Sequence, residues 1–369
     1  MSFVTEAPKR RTSLQSGAVN QNEANIAAVF TGGTIAVSAN KTTTVVPALS
    51  GREIIARVPE IAQFLPSVRV TVHDFATLPG PHISPEMMLT LAGFVRALVD
   101  PSSADRSSAD RSSDDRSSKE HAEGIVITHG TDSMEETAYF LDLVIGDLLP
   151  IIVTGSMHTS TDAAWDGGRN LVDALAVAAS PAFRGMGTLV VMNGEILAAS
   201  EVTKTHTMNP GTFRSLDFGP LGKVNTLALE APCRTREPMR RRTISLADDA
   251  ELPYIELLKT YSGMDDRLFI AALKAGAAGI VVEAMGQGNV PPGVINGISR
   301  AREMNIPVVI TTRCQSGPVR PYYAYEGAGR ELERLGCIFA PYLTGPKARI
   351  KLMVALAAGI EGERLREIW

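Results

Sequence analysis

The segment 124–138 constrains the fold most, because it predicts a buried strand that runs directly into a helix. Residues 125–127 form a short apolar run bounded by a glycine and a polar break, which is typical of a buried parallel strand. Ser133 can cap the following helix, and Glu136 three residues later completes a capping-box pattern. Residues 128–132 are therefore expected at the carboxyl end of a strand, where α/β sheets bind ligands. Taken alone, the segment also fits an ordinary turn with polar caps.

The same alternation of strands and helices continues along the chain and predicts an α/β fold with a right-handed parallel sheet. The predicted strands are residues 26–30, 68–72, 125–127, 150–154, 188–193, 254–258, 279–282 and 306–310. The predicted helices are residues 52–62, 84–98, 133–148, 166–178, 266–275, 292–303 and 346–360. We predict two domains, a larger one over residues 26–232 with a mostly parallel sheet and flanking helices, and a smaller parallel α/β domain over residues 254–369.

Three polar segments interrupt this pattern. Residues 1–25 are polar after a short basic run and predict a disordered tail. Residues 102–121 repeat a polar five-residue unit that begins as Ser-Ser-Ala-Asp-Arg, which cannot build a core and predicts a disordered surface insertion. Residues 233–253 are charged and irregular, and we interpret them as an interdomain linker. A nucleic-acid patch at its basic run, 234–242, is the weaker interpretation, because no aromatic residues interleave with the arginines.

Composition argues against several classes of function. A net charge of −4 over 369 residues gives no reason to expect nucleic acid or an anionic membrane as a partner. No apolar run approaches the ~20 residues of a membrane span. Cys233, Cys314 and Cys337 are odd in number and widely spaced, which argues against a disulfide framework or a CxxC metal site and favours a reducing, cytoplasmic location. No cluster has metal-ligand spacing, so we predict neither a metal nor a cofactor.

Residues with complementary chemistry follow several of the predicted strands. They are Thr34, Thr131, Asp132 and Lys204. The glycines at 32–33 allow a tight turn or a close approach of the backbone to a ligand. A hydroxyl needs a base to become a nucleophile, and a lysine whose ammonium form is disfavoured by burial can serve, with a carboxylate to fix its position. His129 is expected to be a packed, hydrogen-bonded residue rather than a base. Each of these residues alone also fits a structural role.

Two signatures of the chain resemble those of the bacterial-type L-asparaginases. They are Thr-Gly-Gly-Thr-Ile-Ala at 31–36 and Thr-His-Gly-Thr-Asp-Ser-Met-Glu-Glu-Thr-Ala at 128–138. Shorter similar motifs lie at 190–193, 201–205, 219–222 and 347–349. The second signature is long and highly specific, and the resemblance extends from about residue 26 to the C-terminus.

The resemblance implies hydrolysis of the side-chain amide of L-asparagine to L-aspartate and ammonia, without a metal or an organic cofactor. It implies that Thr34 is the nucleophile and forms a covalent acyl-enzyme. It further implies that Thr131, Asp132 and Lys204 form a second catalytic group that polarises a hydroxyl or water, and that Asp132 also holds the substrate's α-ammonium group. The family is expected to work as a homotetramer of two intimate dimers, in which the neighbour's C-terminal domain completes each site.

Two departures from the family pattern concern substrate recognition. Members often carry a tyrosine on the mobile loop after the first signature, whereas the first tyrosine of this chain is Tyr139. The lid contact is therefore missing or supplied differently, for instance by a threonine among residues 42–44. Members also grip the substrate's α-carboxylate with a Ser-Gln or Ser-Ser pair, where this chain has Ala76 and Thr77. Thr77 is the nearest hydroxyl, and we assign it to substrate binding together with Thr131 and Asp132.

Three alternatives to a strict asparaginase stay open. A glutaminase-asparaginase is the nearest, because one added methylene in a pocket changes discrimination by only about 1–3 kcal/mol. An amidase that acts on a different amide is the second. The third is a catalytically quiet sensor that binds asparagine or aspartate, although a pure binder gains nothing from two hydroxyls and a lysine.

Overall fold

The computed structural model describes residues 24–37, 49–99, 121–225, 228–229 and 243–369. The N-terminal part contains strands β1 (Ala24–Gly32), β2 (Val68–Leu78), β3 (Gly124–Thr128), β4 (Ile151–Thr154), β5 (Thr188–Met192), β6 (Glu195–Ala198), β7 (Thr203–Lys204), β8 (Phe213–Arg214), β9 (Gly222–Asn225) and β10 (Ala228–Leu229). Its α-helices are α1 (Gly51–Ala56), α2 (Glu60–Phe64), α3 (Pro85–Val99), α4 (Met134–Val144) and α5 (Gly167–Ala179). The C-terminal part contains β11 (Ile255–Lys259), α6 (Arg267–Lys274), β12 (Gly279–Ala284), α7 (Ile295–Glu303), β13 (Val308–Thr312), α8 (Gly329–Arg334), β14 (Ile338–Phe339), α9 (Gly345–Ala357) and α10 (Gly362–Glu367).

The large sheet has the strand order β10-β9-β6-β5-β4-β3-β1-β2. Its strands from β2 to β5 run parallel, and β6, β9 and β10 join antiparallel at the other side. The residues of β3, β4 and β5 are all buried, as expected for parallel strands covered on both faces. The predicted larger domain with a mostly parallel sheet and flanking helices is confirmed.

Helices cover both faces of the large sheet. Helix α5 packs on β1, β3, β4 and β5, with Leu171, Leu175 and Phe183 among the core residues of that side. Helices α3 and α4 pack together over the opposite apolar cluster. The smaller domain has a parallel sheet with the order β11-β12-β13-β14, which confirms the predicted parallel C-terminal domain. Its helix α9 packs against α4, so one apolar cluster extends from the larger domain into the smaller one.

Several predicted boundaries were wrong, and non-local contacts explain most of them. Strand β2 extends to Leu78 rather than ending near residue 72, because β1 pairs with it as far as Gly32. The single helix predicted at 52–62 is two short helices, α1 and α2, separated at Pro59. Strand β1 begins two residues early, where the Ala24 N–H donates to the Ser67 carbonyl. The elements α8, β14 and α10 were not predicted; they are too short to show a clear period.

The predicted capping box at α4 was also wrong. Ser133 is the N-cap residue, but its side chain makes no capping hydrogen bond. Its hydroxyl donates instead to the Gly80 carbonyl, 2.5 Å away, and so connects the start of α4 to the loop after β2. A capping box is formed by Ser50 and Glu53 at α1 instead.

Some predictions lie outside the described residues. They concern the disordered tail up to residue 23, the polar repeat up to residue 120, the threonines at 42–44 and the basic run 234–242. The described part of the linker, residues 243–253, has no regular secondary structure, and Ile244 and Leu246 are buried in the apolar cluster next to α4. None of the helices in the described ranges is both long and apolar enough to cross a membrane.

Candidate active site

Neighbouring parallel strands bring their carboxyl ends to one edge of the large sheet. Strands β2, β1, β3 and β4 lie side by side in that order, with Gly32 opposite Leu78 and Thr128 opposite Thr154. Polar or glycine-containing turns follow each of these ends, at 32–34, 79–82, 129–133 and 155–158. This is the edge at which open parallel sheets bind ligands.

The turns at this edge pack backbone against backbone. Gly33 has a φ of +79°, and a Cβ atom placed on it would lie 2.5 Å from the Gly130 nitrogen. Gly130 in turn packs against Gly80, where an added Cβ would lie 2.5 Å from the Gly80 nitrogen. The Gly33 N–H donates to the Leu78 carbonyl at 2.9 Å. Because only glycine has no Cβ atom, these positions bring Thr34 and Thr131 onto adjoining turns.

Lys204 joins two of the predicted site residues. Its Nζ donates to Thr131 Oγ1 at 2.9 Å and to Asp132 Oδ1 at 2.7 Å. Thr131 is buried and the Lys204 side chain is only 16% exposed, whereas the Asp132 side chain is 64% exposed. The cluster therefore has a sheltered lysine and hydroxyl and a carboxylate that a cationic group can reach from solvent.

The position of Lys204 in the fold differs from the prediction. We expected it near the end of a strand of the large sheet, but it lies in β7, which pairs antiparallel with β8 in a separate two-stranded sheet. The ribbon is held by backbone contacts such as Thr205 N–H to the Thr212 carbonyl at 2.9 Å. The lysine thus approaches the carboxyl edge of the large sheet from a neighbouring ribbon.

Thr34 and Thr77 lie at the same edge without joining this hydrogen-bonded cluster. Thr34 is half-buried and begins a short 3₁₀ helix, Thr34–Ala36, immediately after Gly33. Its hydroxyl makes no hydrogen bond to another residue of the described ranges, so it is available to a ligand there. Thr77 is exposed near the end of β2, and its carbonyl carbon lies next to Gly32.

His129 has the structural role expected for it. The side chain is fully buried, with Nδ1 2.8 Å from the Gly130 carbonyl and Nε2 2.8 Å from Thr137 Oγ1. Since a carbonyl can only accept, Nδ1 carries the hydrogen, and Nε2 accepts from the Thr137 hydroxyl. Burial lowers the pKa of His129 to about 4, although its hydrogen bond to Gly130 acts in the opposite direction. The imidazole is therefore neutral at pH 7 and fixes the turn that carries Thr131.

Comparison with protein families identifies the chain. The family model for the asparaginase N-terminal domain matches residues 25–105 and 112–234, and the model for the glutaminase/asparaginase C-terminal domain matches residues 254–369. The chain belongs to the asparaginase family. This confirms the resemblance found in the two signatures and the expectation of an enzyme of the asparaginase type.

Individual asparaginase relatives cover nearly the whole chain. A probable L-asparaginase of Deinococcus radiodurans is 34% identical over 350 residues, which span 93% of this chain and 96% of the relative. An L-asparaginase of Bacillus licheniformis is 32% identical, spanning 91% of this chain and 97% of the relative. A glutaminase-asparaginase of Pseudomonas fluorescens biotype A is also 32% identical, spanning 94% and 90%.

A small cavity of about 300 Å³ adjoins Asp132 in this asparaginase-family chain. Pro81, Ile83 and Met88 form its apolar wall, and Glu136 and Arg349 supply its charges. Burial raises the pKa of the Glu136 carboxyl, and the charge of Arg349 acts in the opposite direction. Asp132 of the larger domain and Arg349 of the smaller domain therefore line the same cavity.

Sequence reasoning missed the residues that hold the turn after β4. The Asp166 carboxylate accepts from the N–H groups of Met157 and His158 and from the Ser156 hydroxyl. Asn170 donates to the Gly155 carbonyl and to Asp166. From the sequence, Asp166 is only the first residue of the predicted helix 166–178. The sequence signal for Asp166 was its position after a polar turn that follows a buried strand. The other three strand ends at this edge are also followed by polar or glycine-containing turns.

Proposed function

We propose that the protein hydrolyses the side-chain amide of L-asparagine to L-aspartate and ammonia through a threonine nucleophile and a covalent acyl-enzyme. The observation that carries the proposal is the contact of Lys204 Nζ with Thr131 Oγ1 and Asp132 Oδ1, beside the turn that presents Thr34. A lysine, a carboxylate and two hydroxyls at one edge supply a nucleophile, a proton carrier and an orienting charge. The names of the relatives described above support the hydrolysis of asparagine.

In the first half of the reaction Thr34 is the nucleophile. Its Oγ1 forms a bond to the amide carbon and gives up its proton. The carbon–nitrogen bond then breaks, and the nitrogen takes up that proton and leaves as ammonia. Thr131 and Lys204 carry the proton between the two atoms, and Asp132 keeps Lys204 in position.

In the second half water releases the product. A water oxygen attacks the ester carbon of the acyl-enzyme, with the Thr131–Asp132–Lys204 group polarising the water. The bond to Thr34 Oγ1 breaks, this oxygen takes up a proton, and aspartate leaves. No step needs a metal ion or an organic cofactor.

Asp132 and Thr77 belong to substrate binding in this proposal. The exposed carboxylate of Asp132 can hold the substrate's α-ammonium while its Oδ1 stays bonded to Lys204. Thr77 is exposed at the neighbouring strand end, where its hydroxyl can hydrogen-bond the α-carboxylate. Thr131 contributes to binding through the same turn as Asp132.

Ammonia release tests the proposal directly. We expect wild-type protein to release ammonia from L-asparagine, and Thr34→Ala and Lys204→Ala each to lower kcat about 10³-fold or more. Exposed Thr71 and Lys223 offer matched controls, since Thr71→Ala and Lys223→Ala should leave kcat unchanged. Acid-quenched reaction mixtures analysed by peptide mass spectrometry should contain the acyl group on the Thr34 peptide.

Other outcomes would identify the alternatives. Turnover that persists in Thr34→Ala would contradict the nucleophile assignment. Glutamine hydrolysed as fast as asparagine would indicate a glutaminase-asparaginase. Absence of ammonia from both amides, while asparagine or aspartate still raises the Tm, would favour a sensor over an enzyme.

The proposal includes the organisation of the protein. We propose a cytoplasmic homotetramer of two intimate dimers, with domains at residues 26–232 and 254–369 joined by a linker at 233–253. Exposed tyrosines of the smaller domain, Tyr322, Tyr323 and Tyr325, support an assembly surface there, because large apolar groups are costly to leave in water.

The odd, widely spaced cysteines support the cytoplasmic location. Cell fractionation tests the location, and limited proteolysis within 233–253 tests the boundary.

A further inference from the structure

Lys347 is a buried lysine of the smaller domain that the proposed reaction does not use. It lies in the first turn of α9, and only 1% of its side chain is exposed. Burying an ammonium group is costly unless hydrogen bonds and an opposite charge compensate for the lost water. The groups that Lys347 contacts therefore indicate its role in the structure.

Two contacts of Lys347 reach across to the larger domain. Its Nζ donates to the Val202 carbonyl and lies 3.9 Å from Glu135 Oε2. That Glu135 oxygen is buried and accepts no hydrogen bond from the described residues, so the Lys347 ammonium is the cation beside it that balances its charge. The ammonium compensates the charge on this buried oxygen at the start of α4, where an unpaired charge out of water would be costly.

These contacts lie next to the catalytic group in the chain. Val202 precedes Lys204 by two residues, and Glu135 follows Asp132 by three. One ammonium group therefore connects the segment that carries Lys204 to the segment that carries Thr131 and Asp132. The hydrogen bonds between these segments are 2.9 Å and 2.7 Å long, and a displacement of about 1 Å can lower a rate about 10²-fold.

We propose that Lys347 is a positioning residue, whose ammonium holds the Lys204 segment and the start of α4 at the separation that Lys204 needs to reach Thr131 and Asp132. Its effect on turnover rests on the proposed function. Its effect on the Lys204 side chain does not, because the hydrogen bonds of Lys204 exist without any substrate.

Lys347→Met tests the proposal, since methionine has a similar length but no charge. We expect kcat for asparagine to fall about 10- to 100-fold, with a smaller change in KM. Lys351→Met is the matched control. Lys351 is another buried lysine on the same helix, one turn further on, where it donates to the Ile368 carbonyl and lies over the Trp369 ring. This control should lower stability without lowering kcat.

A second measurement follows Lys204 directly. Brief reaction with an amine-modifying reagent, followed by peptide mass spectrometry, reports how readily the Lys204 amine is reached. We expect Lys204 to be modified several-fold faster in Lys347→Met than in the wild type, because its hydrogen bonds are released. In Lys351→Met the rate should be that of the wild type.

A double variant separates positioning from stability. Lys347→Met alone leaves the buried Oε2 atom of Glu135 without the ammonium beside it, which can prevent folding. Lys347→Met/Glu135→Gln removes both charges, so its Tm should recover toward that of the wild type. Its kcat should stay low, and the Lys204 amine should still be modified faster than in the wild type. The reason is that the hydrogen bond from residue 347 to the Val202 carbonyl is still missing.

The outcomes distinguish the two proposals. A folded double variant with wild-type kcat and wild-type Lys204 modification would overturn the positioning role. A wild type that releases no ammonia, together with faster Lys204 modification in Lys347→Met, would overturn the proposed function and leave the positioning role supported.

Discussion

At the residue scale, His129 shows how a titratable group can support a site without taking part in its chemistry. Its two ring nitrogens are both used, one toward the Gly130 carbonyl and one toward the Thr137 hydroxyl. A second proton on the ring would face the Thr137 oxygen and would be fully buried. The neutral ring is therefore the folded form of this residue.

We predict that His129 makes the protein less stable as the pH falls from about 6.5 to about 4. The unfolded chain takes up a proton near the ordinary pKa of 6.5, whereas the folded protein resists until about 4. The unfolded state thus binds more protons in this window, and the free energy of unfolding falls with pH by roughly 3 kcal/mol from this group. Above pH 7 the contribution is constant.

Denaturant unfolding at several pH values measures this effect. His129→Gln should be less stable than the wild type at pH 7 but should lose less free energy of unfolding between pH 7 and pH 4. His82→Gln, at an exposed histidine, controls for the substitution itself. Equal pH dependence in wild type and His129→Gln would contradict the prediction.

At the element scale, two serines at helix starts have different roles. Ser50 accepts from the Glu53 N–H and is matched by the Glu53 carboxylate, which accepts from the Ser50 N–H at 2.8 Å. Ser133 has the same sequence pattern, but the loop after β2 lies close enough for its hydroxyl to reach the Gly80 carbonyl. Tertiary contact has replaced the local cap.

We predict that Ser50→Ala weakens the first turn of α1 by about 1 kcal/mol, because its cap is lost. Ser133→Ala should leave the protection of α4 amides nearly unchanged and should loosen the segment around Gly80. Hydrogen exchange with mass spectrometry on peptides covering residues 49–57, 79–83 and 133–144 measures both effects. An equal loss of protection at the start of both helices would contradict the assignment.

The comparison of these elements shows which part of the molecule was predictable. Strands β3 and β4 are continuous apolar runs bounded by turns, so local pattern alone located them and the residues after them. The extension of β2 to Leu78 and the pairing of β7 with β8 depend on partners distant in the chain. For that reason the sequence indicated that Lys204 belongs with Thr131 but placed it on the wrong sheet.

At the scale of the whole molecule, the two domains share one apolar cluster and an ion pair between a buried lysine and a partly buried glutamate. Helix α9 packs on α4, and Lys347 lies near Glu135 across the boundary. Neither contact could be predicted, because the period of a helix indicates that a face is buried but not which helix covers it. The signature at 128–138 nevertheless identified the family, and the family model matches the larger domain.

We predict that the protein has a native mass about four times that of the 39.4 kDa chain, as the proposed homotetramer requires. Tyr322 and Tyr325 are 67% and 56% exposed, and Tyr323 lies in contact with both rings. We expect Tyr322→Ser/Tyr325→Ser to weaken the assembly, since exposed aromatic residues are favoured contacts at interfaces.

Light scattering coupled to size exclusion measures this mass. Met304→Ser, at another exposed apolar residue of the smaller domain, should keep the native mass and serves as the control. A wild type that elutes as a monomer across micromolar concentrations would contradict the tetramer.

The backbone contacts among Gly33, Gly130 and Gly80 also bear on how the enzyme could be redesigned. No side chain mediates those contacts, so a mutational library gains nothing from randomising these three positions. Diversity is better introduced at exposed Pro81, which lines the small cavity beside Asp132, than at Ile83 and Met88, which also line it but are buried in the apolar core. Selection at this position could change which amides are accepted, while the glycine-packed turns that carry Thr34 and Thr131 stay intact.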